Sequence, residues 1–472
     1  MVMGEETLQT ELLVIGGGTG GYSAAFRAAD LGVKVALVND EKRLGGVCLH
    51  RGCIPAKSLL QPARLMMEAR RADDWGVAFA DPSIDVEKLR SWKDGVVDKL
   101  VNGLETLSER RDIRIVRGHA VFESSNQVRL RNPDMVSNVE FEHAIIATGS
   151  RPIALPGTEF KSDSRIMDSA TALGLPEIPE TLLIVGGGYI GLEMGMIYAS
   201  LGSRITLVEL LDGLLPGTDR ELVKPVAQEA AGMFEAIHLN TSVESLQEET
   251  DGVLVEFNGD VGDEQQKFDR VLIAIGRQPS TDKLQLENTD VELDDHGFIR
   301  VDAERRTTEE HIFAVGDAAG KPLLAHKSMH EGKIAAEVIA GKPASFDVRC
   351  IPKVIFTEPE LALCGLSEED AHEQGYAVEI GRFPWRASGR ALTKGAPDGL
   401  TKIVFDAESG RVLGVGIVGS GAAELIAEGA LAIEMGAVAH DLALTIHPHP
   451  TLSETISEAA EAFLEKPIHT LA

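Results

Sequence analysis

The sequence predicts an α/β protein with two parallel-sheet, nucleotide-binding units and a smaller α+β unit at the C-terminus. Three observations predict it. Two glycine-rich turns of the form G-x-G-x-x-G, at Gly16/Gly18/Gly21 and Gly186/Gly188/Gly191, each follow a short apolar run and open a helical stretch. After Pro343 the texture changes to short apolar runs spaced as an antiparallel sheet. The chain has 472 residues, 44% apolar and 25% charged, which is an ordinary soluble composition and enough for two to four domains.

Taken in order, Leu12–Ile15 reads as a strand, Tyr22–Leu31 as a helix and Val33–Val38 as a second strand. Between them the glycines allow a tight turn, close approach of a pyrophosphate and close helix packing, and the helix N-terminus offers N–H donors. The acid expected at the end of the second strand is replaced by Asn39, which hydrogen-bonds a ribose hydroxyl without charge. Residues 58–112 read as charged helices. Arg114–Val121, Gln127–Leu130 and His143–Thr148 read as strands, the last running into Thr148, Gly149 and Ser150.

The fingerprint then repeats. Leu182–Val185 leads into Gly186, and Ile205–Val208 ends at Glu209, about 20 residues beyond the first glycine, as ribose recognition requires. Glu209 accepts from both ribose hydroxyls and repels a 2′-phosphate, so this site reads as NAD rather than NADP. Residues 182–202 are apolar with Glu193 as the one charge, long enough for a membrane window. The triple glycine predicts a strand, turn and buried helix instead. Val271–Ile275, followed by Gly276 and Arg277, echoes the passage ending at Gly149. Ile312–Val315 reads as a strand with Asp317 beyond its carboxyl end, where ligands sit in open α/β sheets. Ala325 opens a helix to about Ala340. Ile351–Phe356, Val378–Phe383, Thr401–Phe405 and Val412–Val418 read as the antiparallel strands, and Glu424–Met435 as a helix.

The chemistry centres on Cys48 and Cys53, five positions apart between Gly45-Gly46 and Pro55-Ala56-Lys57. A disulfide needs Cα atoms within about 7 Å, which an extended strand forbids at this spacing and a turned or helical segment allows. It closes only a short loop, so it suits being made and broken more than stabilising. A zinc half-site and two inert buried thiols compete with this reading. No second Cys pair stands at metal spacing, so no metal is expected. Thiol chemistry needs a base. His449, bracketed by Pro448 and Pro450, has Glu454 five positions on to fix its tautomer. His447 competes for that role, and spacing does not choose between them.

Net charge is −29, with 74 acidic against 45 basic residues, which argues against nucleic-acid binding. Four cysteines fit a reducing compartment, and the first ten residues carry no apolar core of a signal peptide. A cytoplasmic protein with no membrane attachment is expected.

The run Gly45-Gly46-Val47-Cys48-Leu49-His50-Arg51-Gly52-Cys53-Ile54-Pro55-Ala56-Lys57, the two fingerprints, Ala147-Thr148-Gly149-Ser150, Val315-Gly316-Asp317 and His447-Pro448-His449-Pro450-Thr451 with Glu454 jointly resemble the FAD-dependent pyridine nucleotide–disulfide oxidoreductases, from Glu11 to the C-terminus. Within that family they resemble the branch that oxidises protein-bound dihydrolipoamide with NAD⁺. The resemblance implies two Rossmann-like FAD and NAD domains plus a C-terminal α+β dimerisation domain. The division is 1–153 and 282–350 for the FAD-binding and central parts, 154–281 for NAD and 351–472 for dimerisation. It implies FAD held by Gly16, Gly18, Gly21, Asn39, Lys57, Ala120, Thr148, Gly149, Ser150, Asp317 and Ala325. It implies NAD held by Gly186, Gly188, Gly191, Glu209, Val243 and Gly276, with Arg277 beside them and Lys57 pairing Glu193 near the flavin. Cys48 would exchange with substrate, Cys53 would face the flavin, and His449 with Glu454 would serve the other subunit of a homodimer. The partner would be a separate lipoyl-bearing carrier protein. Another flavin disulfide reductase, or a mainly assembly subunit of a multienzyme complex, are the alternatives. Thr19 stands where the family has proline, and His50-Arg51 where Asn-Val is common. Cys350 and Cys364 match no family redox motif and are expected to be packing residues.

Overall fold

The computed structural model describes residues 6–131 and 136–470. Its first sheet centres on strand Glu6–Ile15, which pairs in parallel with Val35–Asn39 on one side and Val136–Ile146 on the other. Arg114–Arg117 and Ile312–Ala314 extend the parallel sheet at its two sides. Leu12, Leu13 and Val14 are fully buried, which is why this strand reads as continuous apolar sequence rather than alternating. Helices Thr19–Asp30 and Ala325–Ile339 cross closely, because a Cβ on Gly332 would stand 2.4 Å from the Gly20 carbonyl oxygen.

The expected strand Arg114–Val121 is broken. Gly118, at φ +148°, ends Arg114–Arg117, and His119–Ser124 continues in an antiparallel ribbon with Gln127–Arg131. The break carries the chain from one edge of this sheet to the other, which an apolar run cannot announce and the glycine does.

The second parallel sheet runs in the order Ala236–His238, Arg204–Val208, Thr181–Val185, Arg270–Ile273, Ile166–Met167. The apolar stretch after Leu182 is a strand, then helix Tyr189–Leu201 buried almost throughout. No helix among the described residues is long and apolar enough to cross a membrane. A three-stranded antiparallel sheet, Ser242–Glu249 with Gly252–Asn258 and Gln265–Phe268, packs on this unit and was not legible in the sequence. Its Ser242–Glu249 strand is half exposed and carries no clean alternation. Ser150–Pro152 and Arg277–Pro279 form a short antiparallel ribbon that ties the two nucleotide units together.

The C-terminal sheet has the order Lys353–Ile355, Leu361–Gly365, Val412–Val418, Leu400–Asp406, Val378–Pro384, all antiparallel. Helices Ala422–Met435 and Glu454–Phe463 cover it, around a core holding Trp385, whose ring N–H donates to Thr401 Oγ1 at 3.0 Å.

Candidate active site

A cleft of about 430 Å³ runs along the carboxyl ends of the first sheet. Gly16, at φ +109°, makes the first turn, where a Cβ would meet the Ala147 carbonyl oxygen at 2.4 Å. A Cβ on Gly18, by contrast, would have only the Gly46 Cα within 4 Å, at 3.9 Å, so this glycine leaves an open cradle at the helix N-terminus. Thr148 Oγ1 is buried with no hydrogen-bond partner among the described residues. An open glycine cradle and an orphaned hydroxyl in the same cleft fit a bound dinucleotide. Arg277 donates to Ser150 Oγ at 2.8 Å, and Ser150 Oγ donates to Asp317 Oδ2 at 2.5 Å, so these three residues share one network lining the cleft.

The cysteines sit on this cleft across a helix break. Cys48 lies in helix Gly46–Arg51, and Cys53 is the first residue of helix Cys53–Arg71. Gly52 joins the helices, and a Cβ there would stand 2.9 Å from the Val47 carbonyl oxygen. The two thiols hydrogen-bond each other. That contact and burial push the Cys48 thiol up, while Cys53 is lowered to about 7, first by the hydrogen bond from Cys48 and then by the Lys57 charge. Its place at a helix N-terminus acts in the same direction. Lys57 Nζ pairs with Glu193 Oε2 at 2.8 Å, and the buried Glu193 also accepts the Phe356 N–H at 2.9 Å. The predicted Lys57–Glu193 pair is therefore formed beside the sulfurs.

The two histidines separate cleanly. The His447 side chain is 6% exposed and held at both nitrogens, by Glu428 Oε1 at 2.7 Å and the Thr445 carbonyl at 2.9 Å. The His449 side chain is 79% exposed, and its Nδ1 meets Glu454 Oε1 at 2.8 Å. Its Nε2 is left to face outward. Glu454 Oε2 accepts the Thr451 N–H at 2.7 Å. Burial works to raise the Glu454 carboxyl, but the Thr451 N–H and the imidazole hold it below the usual carboxylate range. The geometry for an oriented base belongs to His449.

Two family patterns cover most of the chain. Residues 10–332 match the pyridine nucleotide-disulphide oxidoreductase family, and residues 351–460 match the dimerisation domain of the same family. The chain belongs to the pyridine nucleotide-disulphide oxidoreductases. Among curated relatives, a dihydrolipoyl dehydrogenase of Haloferax volcanii is 46% identical over 100% of both chains. One of Vibrio parahaemolyticus is 45% identical over 97% of this chain and 96% of its own. Among solved structures, LpdA of Mycobacterium tuberculosis superposes with a TM-score of 0.88 at 25% identity, covering 96% of this chain and 99% of that one.

In this pyridine nucleotide-disulphide oxidoreductase the second fingerprint reproduces the first. Gly186 turns at φ +110°, and a Cβ on Gly191 would lie 2.1 Å from the Gly186 carbonyl oxygen. Gly188 has open space where its Cβ would be. Glu209 Oε2 accepts the Gly187 N–H at 2.6 Å and Oε1 accepts the Leu211 N–H at 2.9 Å. Asn39 takes the same post in the first unit, with Oδ1 accepting the Gly17 N–H at 3.1 Å. Its amide then donates to the Glu41 and Arg43 carbonyls at 2.9 and 3.0 Å, bonds a carboxylate cannot make. Asn39 thus keeps the turn and exchanges ribose-directed charge for a pinned loop.

Ala120, Lys57, Gly149 and Ala325 also line the first cleft. Gly276 and Val243, expected at the second nucleotide site, lie in and beside the second unit: Val243 packs on its core, and a Cβ on Gly276 would have only Ile153 in reach. Sequence reasoning missed the support under Asp317. Glu331 is fully buried, accepts the Gly316 N–H at 2.7 Å and pairs with Arg305 at 2.9 Å and Lys327 at 3.2 Å. Lys327 and Glu331 are spaced i, i+4 on one helix face, which was the available signal. Glu331→Ala leaves two cations unpaired around the turn. The expected loss is about 3–5 kcal/mol of unfolding free energy, measured in urea, together with weaker retention of the cofactor.

Proposed function

We propose that this chain is a dihydrolipoyl dehydrogenase acting as a homodimer, in which the Cys48–Cys53 pair of one subunit works with His449 of the partner subunit. One observation carries this reading. The residues lining the cleft beside the cysteines end at Ser328, so the C-terminal unit gives it no base, while the His449–Glu454 dyad stands exposed on that unit. Leu431, Met435, Leu444 and Ile446 are exposed at 63%, 76%, 78% and 95% in the same unit, an apolar surface suited to a second copy. The short ribbon between Ser150–Pro152 and Arg277–Pro279 supports the division of the nucleotide units near residues 153 and 281, with the dimerisation unit from 351.

Bound FAD supplies the two-electron link between the sulfur pair and NAD⁺. Gly16, Gly18, Gly21, Asn39, Thr148, Ser150 and Asp317 hold it, with Lys57 beside the reacting sulfur. The protein residues do the rest. The partner subunit's His449 takes a proton at Nε2 from the first thiol of dihydrolipoamide, and Glu454 stabilises the imidazolium. The substrate thiolate attacks Cys48 Sγ, and Cys53 leaves as the thiolate that its lowered pKa favours. The second substrate thiol attacks the mixed disulfide and displaces Cys48, its proton passing to the departing Cys48 sulfur while His449 keeps the first proton. The product is the cyclic disulfide, delivered on a lipoyl-bearing carrier protein. No part of the chemistry calls for a metal, nucleic acid or membrane.

The test is anaerobic turnover of dihydrolipoamide with NAD⁺ by purified protein. NADH formation is expected with NAD⁺ and, because Glu209 sits where a 2′-phosphate would press on its carboxylate, at least about 10²-fold lower kcat/KM with NADP⁺. Glu209→Ala narrows that gap. Equal use of both nucleotides sinks the specificity assignment, and no turnover with either sinks the function.

A further inference from the structure

Cys350 and Cys364 pack in the C-terminal core. Cys350 lies on the segment entering the C-terminal unit and Cys364 on strand Leu361–Gly365, the neighbour of Lys353–Ile355. The antiparallel register pairs Val354 with Ala362, and Cys350, Val354, Ala362 and Cys364 share one core. The two thiols lie within hydrogen-bonding reach of each other. They differ in access: Cys364 is 4% exposed, whereas Cys350 is half-buried at the edge of that core. The Cys350 backbone N–H is fixed by Glu434 Oε1 at 3.1 Å, and its thiol faces the Ala430 carbonyl at 3.8 Å.

We propose that Cys350 and Cys364 form a second redox-active dithiol, separate from the Cys48–Cys53 pair, which hydrogen peroxide closes to a disulfide. Cys350 is the attacking sulfur because it is the one solvent reaches. Its thiolate attacks one peroxide oxygen: an S–O bond forms, the O–O bond breaks, and the departing hydroxide takes the thiol proton as water. Cys364 then attacks the sulfenic sulfur. The S–S bond forms, the S–O bond breaks, and the second hydroxide leaves with the Cys364 proton as water. Two thiols lose two electrons and the peroxide becomes two waters. The closed bond staples the segment entering the C-terminal unit to its sheet, and the peroxide is intercepted away from the catalytic sulfurs. Lowering of the Cys350 thiol by the Cys364 contact favours the thiolate needed for attack.

Trypsin makes this pair easy to read, since Arg349 precedes Cys350 and Lys353 precedes Val354, so the sulfurs fall on separate peptides, 350–353 and 354–382. Purified holoenzyme is reduced, freed of reductant, treated with hydrogen peroxide, alkylated and digested without reduction. The linked pair 350–353 with 354–382 is expected to become the major form of both peptides and to vanish with dithiothreitol. In Cys364→Ser, dimedone should label Cys350; in Cys350→Ser, neither linkage nor dimedone labelling of Cys364 should appear. Two alkylated, unlinked peptides after peroxide treatment of the wild-type enzyme would overturn the proposal. So would dimedone labelling of Cys364 rather than Cys350.

Discussion

Cys48→Ser and Cys53→Ser each reduce dihydrolipoamide oxidation to background, because disulfide exchange needs both sulfurs. Reduction of an artificial electron acceptor by NADH survives in both, since it does not pass through the pair. The variants part company in their absorbance. A thiolate against an oxidised flavin gives a long-wavelength band. Cys48→Ser retains Cys53, and the serine hydroxyl still donates to it, so the band is expected without added reductant. The Cys53 thiol is lowered to about 7, so the thiolate is present above that pH and lost below it. The band should titrate accordingly. Cys48→Ala removes the hydrogen bond that does most to lower the thiol, and the midpoint should move up. Cys53→Ser should show no band at any pH. A band in Cys53→Ser alone would exchange the roles of the two cysteines.

His449→Gln lowers lipoamide turnover by about 10²–10⁴-fold, the range for a positioned acid–base group. Turnover of the artificial acceptor with NADH should be unchanged. His447→Gln should do far less to the chemistry, because both nitrogens of His447 are engaged in holding the loop, at Glu428 and Thr445. Its cost should appear in stability instead. If steady-state kinetics reversed the two effects, the base would be His447.

Both nucleotide units were legible because each rests on a local conflict that glycine alone resolves. Gly16 and Gly186 need positive φ, and Gly21 and Gly191 need the absence of a Cβ; residue identity announces both. The strands around them are buried on both faces and show as unbroken apolar runs. The antiparallel sheet of residues 242–268 hid because one of its strands is half exposed and the connecting turns are ordinary. At the site, the cysteine motif and Lys57 could be read, and so could the need for a base. Spacing did not choose between His447 and His449, and only the family resemblance pointed to His449, because the difference depends on Glu428, 19 residues before His447 in sequence and hydrogen-bonded to it in space. The Arg305 partner of Glu331, 26 residues away in sequence, was hidden for the same reason. Asn39 read as a weakened contact, and the structure gives it a positive task, tying down the loop after the strand.

Whether one subunit's sulfurs work with the other subunit's base is decided by a mixed dimer. Subunits carrying Cys48→Ser and His449→Gln, each with its own affinity tag, are co-expressed, and the heterodimer is isolated through both tags. Each variant alone is inactive or nearly so toward dihydrolipoamide. In the heterodimer, one site joins the intact cysteine pair of the His449→Gln subunit to the intact His449 of the Cys48→Ser subunit. The other site has neither. Anaerobic NADH formation at about half the wild-type rate per dimer is the result expected, one competent site of two. A heterodimer no more active than its parents would place the base in the same subunit as the sulfurs and contradict the account.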